Sequence, residues 1–365
     1  MHPMSVYDAL GVRRVVNACG IYTDLGGSVL GAEAWAAATE ANATWAAMDD
    51  LLDATGARIA SLCGAEAARV VPGASAGIAL SIAACIARGD GEIAERLPHT
   101  DAMVLMQRGH ESKYARCVAL AGARVRWVDD IASSLEAGPA AILHPAHLDG
   151  AAGTLGVEQL GPLARAAGVP LVVDAAFQSF PLSELARWST AADMACFSAK
   201  YFWGPSAAGF VAGRAGLVGD VAQLDFTGYE SGRWRTFGRA FKLDRATVVA
   251  TLAALEAWTV LDHDARLAGY AELADALATR FSALPGARVE LKQFTLDEEL
   301  VDGPVNAVLV HGAAALEATL ASGDPSIRAL ADDDGLVFCT EALASRELDE
   351  IVEALADAWQ RLADG

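Results

Sequence analysis

The chain has 365 residues, 53% hydrophobic and 20% charged, which suits two domains, or one large domain with an appendage, and excludes a disordered chain. Its formal net charge is −20 and its pI is near 4.6; a surface this acidic repels phosphate backbones and anionic lipid, so neither nucleic acid nor a membrane is an expected partner. Six cysteines are scattered with no C-x-x-C pair, several inside apolar runs, as reduced thiols are. The start carries no basic segment leading into an apolar one, and no uncharged stretch reaches bilayer length, so the expected location is cytoplasmic.

From about residue 68 onward, short β-type runs alternate with helical patterns. The strand candidates, in order, are "AARVVP", "AMVLMQ" (102–107), "ARVRWV" (123–128), "AAILHP" (140–145), "PLVVDAA" (170–176), "ADMACFSA" (192–199) and "AGFVAG" (208–213). Helix-like stretches between them, such as "AGIALSIAACIARG" and "VEQLGPLARAAG", end at a glycine where a C-cap belongs. Such alternation, with strands apolar on both faces, predicts a mostly parallel sheet covered on both sides. After Leu243 the pattern turns to long helical sequence, followed by "ARVELKQF", "NAVLVH", "GLVFCT" and a closing helix near "RELDEIVEALADAWQRL". The expected division is a large unit over 1–245 and a smaller α/β unit over 246–365.

Ligands of open parallel sheets bind beyond the carboxyl ends of the strands, and three motifs fall there. In "VVPGASAGIALSI" a strand ends at Pro72, and Gly73 to Gly77 open a helix whose backbone amides and Ser75 hydroxyl suit an anion; plain capping and close packing is the alternative. The motif is neither GxGxxG nor Walker A, which argues against a dinucleotide or a nucleoside triphosphate. In "PLVVDAAFQ", Asp174 lies at the tip of a buried strand, where a carboxylate needs a cation or donors; capping the next turn is the alternative. In "ACFSAKYFWGP", one of only four lysines, Lys200, follows an apolar run. Burial lowers the pKa of an amine, and a neutral amine attacks carbonyls; a snorkelling lysine is the alternative. An anion cup, a lone acid and a buried amine together match a cofactor with a phosphate, a basic ring nitrogen and an aldehyde, namely pyridoxal phosphate.

These residues resemble the fold-type-I pyridoxal-phosphate enzymes, in the branch of bacterial selenocysteine synthase and D-glucosaminate-6-phosphate ammonia-lyase. The likeness runs over most of the first 265 residues, through "GVRRVVNACGIYTDLGGSVL", "VVPGASAGIALSI", "QRGHESKY", "VVDAAFQ", "FSAKYFWGP" and "GRAFKLDRATVVATLAALEAW". It implies that fold, with a large domain built on a seven-stranded, mostly parallel sheet and a smaller C-terminal α/β domain. It also implies pyridoxal 5'-phosphate as cofactor, a small amino-acid substrate and a homodimer or higher homo-oligomer. By the same likeness Lys200 stands at the Schiff-base lysine, and Asp174 at the partner of the pyridine nitrogen. Ser75, Ala76 and Gly77 stand at the phosphate cup, Ser198 near the phosphate, and His110 where a ring stacks on the cofactor. Gln178 is a weaker transfer as a contact to the cofactor hydroxyl, and Arg239 is a candidate anion binder with a structural salt bridge as its alternative.

Three positions depart from the branch. Ala199 replaces a glycine before the lysine, Glu111 stands where an arginine is frequent, and Leu330 stands where an arginine is expected after "GDPSI". Arg328 is the nearby substitute for binding a substrate carboxylate. The implied reaction is α,β-elimination from a small amino acid or amino-sugar acid, with Lys200 removing the α-proton and ammonia and a keto acid released. Racemisation, aldol cleavage, transamination and β-replacement are alternatives from the same carbanion. A catalytically idle, cofactor-binding protein is the alternative from another class. His144 and His147 in "LHPAHLDG" have no third ligand nearby, so no metal is expected.

Overall fold

The computed structural model describes residues 6–231, 237–296 and 298–363. The chain divides into two compact units, one over 28–260 and one formed by 1–27 together with 261–365.

The 28–260 unit is built on seven strands. Strand β1, Val15–Asn17, precedes it in the chain and belongs to the other unit; the sheet consists of β2 Ala67–Val71, β3 Met103–Gln107, β4 Arg124–Val128, β5 Ala141–Pro145, β6 Leu171–Asp174, β7 Met194–Ser198 and β8 Gly209–Gly213. Their order is β2-β8-β7-β6-β5-β3-β4, parallel throughout from β7 to β4, with β8 antiparallel to both β7 and β2. All seven sequence candidates form strands, and β5, β7 and β8 are buried at every position, as a sheet covered on both faces requires.

The helix Gly73–Ala87 is buried along nearly its whole length and lies against the sheet. Its contact depends on Gly77, where an added Cβ would stand 3.2 Å from Val211 and 3.3 Å from Val71. The glycine C-cap expected for this helix is instead Arg88, held in the left-handed region at φ 46°, and Gly89 follows. Gly168 does close the helix Val157–Ala167 as expected, at φ 64°.

The other unit has a five-stranded sheet of order β10-β9-β11-β14-β13, from β9 Val289–Phe294, β10 Leu300–Val301, β11 Ala307–His311, β13 Leu330–Ala331 and β14 Gly335–Cys339. Helices His263–Phe281 and Leu348–Ala363 complete its core. Strand β12, Ser326–Arg328, pairs in parallel with β1, Val15 lying opposite Ser326, and this pairing ties the N-terminal residues to the C-terminal unit. The division therefore falls at 260/261 rather than at 245/246. The helix Arg245–Val260 packs on the helix Ala32–Asn42 within the first unit, and Asp262 caps the next helix by accepting from the Ala265 amide.

Candidate active site

Lys200 lies in a short 3-10 turn, Ala199–Phe202, directly after β7. The turn forms because Phe202 is buried and Trp203 takes a left-handed conformation at φ 57°, which turns the chain away from the sheet. Lys200 is half-buried, with its Nζ 4.8 Å from the centre of the Tyr201 ring. Burial, and secondarily the positive charge of Lys113, lower its pKa from the ordinary lysine value.

Asp174 ends β6, opposite Cys196 of β7, so it and Lys200 come from the tips of adjacent strands. It is 8% exposed, and among the described residues its carboxylate accepts one hydrogen bond, from the Ala176 amide at 3.2 Å. Burial pushes the carboxyl up to about 6, against the pull of that amide. A buried carboxylate with one donor is an electrostatic demand for a cation.

The helix Gly73–Ala87 begins after Pro72, which as N-cap has no amide hydrogen, so the amides of Gly73, Ala74 and Ser75 precede the first acceptor within the helix. The donors available to an anion are thus at 73–75. Those of Ala76 and Gly77 fall within the helical ladder, and Gly77 serves packing against the sheet instead. Ser75 is exposed, and its hydroxyl meets the thiol of Cys117, a half-buried residue that also lies in the field of Asp174. Nothing in the sequence pattern marks Cys117, which is brought here by the turn after β3.

His110 is fully buried, so neither face of its ring is open to a ligand in this structure. Its surroundings explain why. The Gln107 amide pairs with the Leu155 backbone, donating to the Leu155 carbonyl at 2.9 Å and accepting from its amide at 2.7 Å. That pairing fixes which end of the side chain is NH2, and this NH2 lies 3.4 Å from His110 Nδ1. On the other side the Thr154 hydroxyl spends its hydrogen on the Ala151 carbonyl at 2.7 Å and accepts from His110 Nε2 at 3.0 Å. The ring is therefore the neutral Nε2–H tautomer. Burial, helped by the neighbouring His144, lowers its pKa to about 4, consistent with a ring that stays uncharged.

His144, on β5, packs edge-on against His110 with ring centres 4.8 Å apart. Its Nε2 meets Asp149 at 2.9 Å, while its buried Nδ1 has no partner among the described residues. Asp149 also accepts from the Val157 amide and from Arg187; these bonds, led by the one from His144, hold its carboxyl well below the usual range. The part-exposed ring at this edge belongs to His147, 5.8 Å from Phe177, which in turn stands 5.8 Å from Tyr201.

Ser198 is buried at the end of β7, and its amide donates to the Ala176 carbonyl at 2.9 Å. Gln178 is half-buried in the loop after β6. Arg239, an exposed residue, pairs with Glu230 at 2.6 Å, the salt bridge that was its alternative reading. Arg328 ends β12 and is exposed, and the strand is interrupted at the buried Ala329, so Leu330 enters a different sheet, in β13. An open cleft of about 1170 Å³, lined by Ala102, Met103, Arg124 and Ala140, lies at the N-terminal ends of β3 to β5, the edge of a parallel sheet opposite the one used by ligands.

Residues 33–306 match the model of one protein family, aminotransferase class-V. The chain belongs to that family. Membership implies pyridoxal phosphate, and the fold is that of pyridoxal-phosphate fold type I. Among curated relatives, a 5'-C-glycyluridine monooxygenase-decarboxylase of Streptomyces sp. is 30% identical over 79% of this chain and 73% of its own. A D-glucosaminate-6-phosphate ammonia lyase of Salmonella typhimurium is 29% identical over 79% of this chain and 78% of its own. A solved structure of D-glucosaminate-6-phosphate ammonia-lyase superposes with a TM-score of 0.85 at 27% identity, covering 100% of both chains. These two relatives carry names of different reactions, so likeness alone leaves the reaction of this class-V chain to its own residues. No helix among the described residues is long and apolar enough to cross a membrane.

Proposed function

We propose that the chain is a pyridoxal-phosphate-dependent lyase that eliminates a β-substituent from a small amino acid or amino-sugar acid, releasing ammonia and a keto acid. The observation that carries this reading is Asp174, a buried carboxylate with one amide donor, on the strand beside the one that presents Lys200. The residues fit the cofactor. The Asp174 carboxylate would pair with a protonated ring nitrogen, the Gly73–Ser75 amides with Ser75 and Ser198 would hold the phosphate, and Lys200 would hold the aldehyde carbon. When bound, pyridoxal phosphate supplies an electron sink for the pair left on the substrate α-carbon.

The remaining chemistry belongs to the chain. Partial burial keeps a larger fraction of Lys200 as the free amine, the form that takes the α-proton at Nζ. The Tyr201 ring stands 4.8 Å from that nitrogen, with Phe177 against it at 5.8 Å. With the α-proton on Lys200, its ammonium can return that proton to a hydroxyl at the β-carbon, which leaves as water; the released enamine then takes up one water and gives the keto acid and ammonia. The substrate's chemical class is supported by the relative named as an ammonia lyase.

The test is product analysis of purified protein given the cofactor. Amino-acid and amino-sugar-acid panels should yield ammonia and keto acid in equal amounts, and Lys200→Ala should abolish both. Racemised substrate without ammonia, or amine passed to a keto-acid acceptor, would overturn elimination. Equal cofactor binding by wild type and Lys200→Ala would overturn the assignment of the lysine.

A further inference from the structure

We propose that Ser179 is a positioning residue for Lys200, its hydroxyl fixing the turn that carries the lysine against the loop that leaves Asp174. The inference rests on the pyridoxal-phosphate reading above and adds the group that aims the amine.

The two segments run side by side beyond the strand tips. The Ala175 amide donates to the Cys196 carbonyl at 3.0 Å, and the Ser198 amide donates to the Ala176 carbonyl at 2.9 Å. Lys200 lies two residues past the second of these rungs. Further along, the Ser179 hydroxyl donates to the Tyr201 carbonyl at 3.0 Å. The first two bonds join backbone to backbone and survive side-chain substitution, whereas the third hangs on one hydroxyl. A loop serine ordinarily spends its hydroxyl on a backbone group a few residues away. This one reaches 22 positions along the chain, to the residue after the lysine.

Ser179 is itself held. It is 4% exposed, its amide donates to the Phe177 carbonyl at 2.9 Å, and its carbonyl accepts from the Trp258 indole at 2.9 Å. A donor fixed in this way sets the plane of the peptide between Tyr201 and Phe202. The turn has further anchors beyond that peptide: the Ala199 carbonyl accepts from the Gly204 amide at 2.9 Å, and the Trp203 carbonyl accepts from the Gly31 amide at 2.8 Å. Ser179 adds the anchor next to the lysine, on the side of the Asp174 loop. With the Tyr201 carbonyl pinned, the turn resists the rotation that would swing Nζ away from the Tyr201 ring, 4.8 Å from it. The hydroxyl's one hydrogen is spent on Tyr201, so Ser179 donates to the turn and acts through the lysine.

The experiment compares wild type, Ser179→Ala and Ser179→Thr. Its control for general loosening is Thr55→Ala, which deletes a buried hydroxyl bonded within the helix Met48–Cys63. Cofactor-free protein is labelled with trinitrobenzenesulfonate over a pH series, and each of the four lysines is read by peptide mapping. In Ser179→Ala the labelling midpoint of Lys200 should move up, because a turn free to rotate returns the amine to water, while those of Lys242 and Lys292 stay in place. Capture of pyridoxal phosphate by Lys200, trapped with borohydride, should slow by about tenfold. Ser179→Thr keeps the donor and should restore both, and Thr55→Ala should change neither, whatever it does to the melting temperature. Should Ser179→Thr fail to fold, the comparison of Ser179→Ala with Thr55→Ala still decides. An unmoved Lys200 midpoint in Ser179→Ala would overturn the proposal, and if capture slowed all the same the hydroxyl would belong to the cofactor. A folded Ser179→Thr that behaves as Ser179→Ala, or a Thr55→Ala that matches it, would also overturn it. Failure of the underlying reading looks different: wild type itself would then capture pyridoxal phosphate no faster than Lys200→Ala.

Discussion

Ionising Asp174 opposes folding as long as nothing cationic faces it, and its raised pKa gives that opposition a pH window. Between the ordinary carboxyl value of 3.8 and the folded value of about 6, the native state holds a proton that the unfolded chain releases, so stability falls as pH rises through that range. The loss above pH 6 amounts to about 3 kcal/mol. Cofactor-free Asp174→Asn should therefore melt above wild type at pH 8 and with it at pH 3.5, and calorimetry at the two values checks this. Saturating wild type with a ligand whose ring nitrogen is protonated should close the gap. The need for Asp174 and Lys200 was legible because each interrupts or ends an apolar run at a strand tip. The clamp on His110 was not, because Gln107 and Thr154 lie 47 positions apart and nothing local to either marks the other.

At the scale of elements, the site depends on the helix Gly73–Ala87 lying close to β8. Gly209 makes this possible: an added Cβ would fall on the Phe197 carbonyl oxygen and within 3.2 Å of the Ala74 amide nitrogen. Both are backbone atoms, which cannot rotate away. Gly209→Ala should cost about 2 kcal/mol or more by overpacking, read as a lower denaturation midpoint. It should also weaken phosphate-bearing ligands more than their dephosphorylated counterparts, because the Ala74 amide is displaced. Gly216→Ala, at a helical position with open space around its Cα, is the control: it should not lower the midpoint, helix propensity raising it if anything, and should leave the preference for phosphate-bearing ligands unchanged. The seven strands of this sheet were legible from apolar runs of the right length. Strands of three and two residues, β12 and β13, carry too little periodicity to be seen.

Over the whole molecule, the boundary was the least legible feature. The helix Arg245–Val260 has apolar residues that suit either core, and its packing on the helices Ala32–Asn42 and Met48–Cys63 assigns it to the first unit. The joining of residues 1–27 to the C-terminal unit is likewise invisible in a linear reading, since the β1–β12 pair spans more than 300 residues. Sites of this fold type shared between two subunits lead us to propose a homodimer. Sedimentation of the 37.8 kDa chain should then give about twice that mass, and a single-chain mass would require the site to be complete within one subunit.

Five of the six cysteines are buried, and Cys117 alone is half-exposed. Its place beside Ser75 and Asp174 gives the unmodified chain a built-in gauge: a maleimide dye should label one thiol slowly when the phosphate cup is vacant and hardly at all when it is filled. Occupancy of the site can then be followed in the native sequence, without engineering a probe and without knowing the substrate.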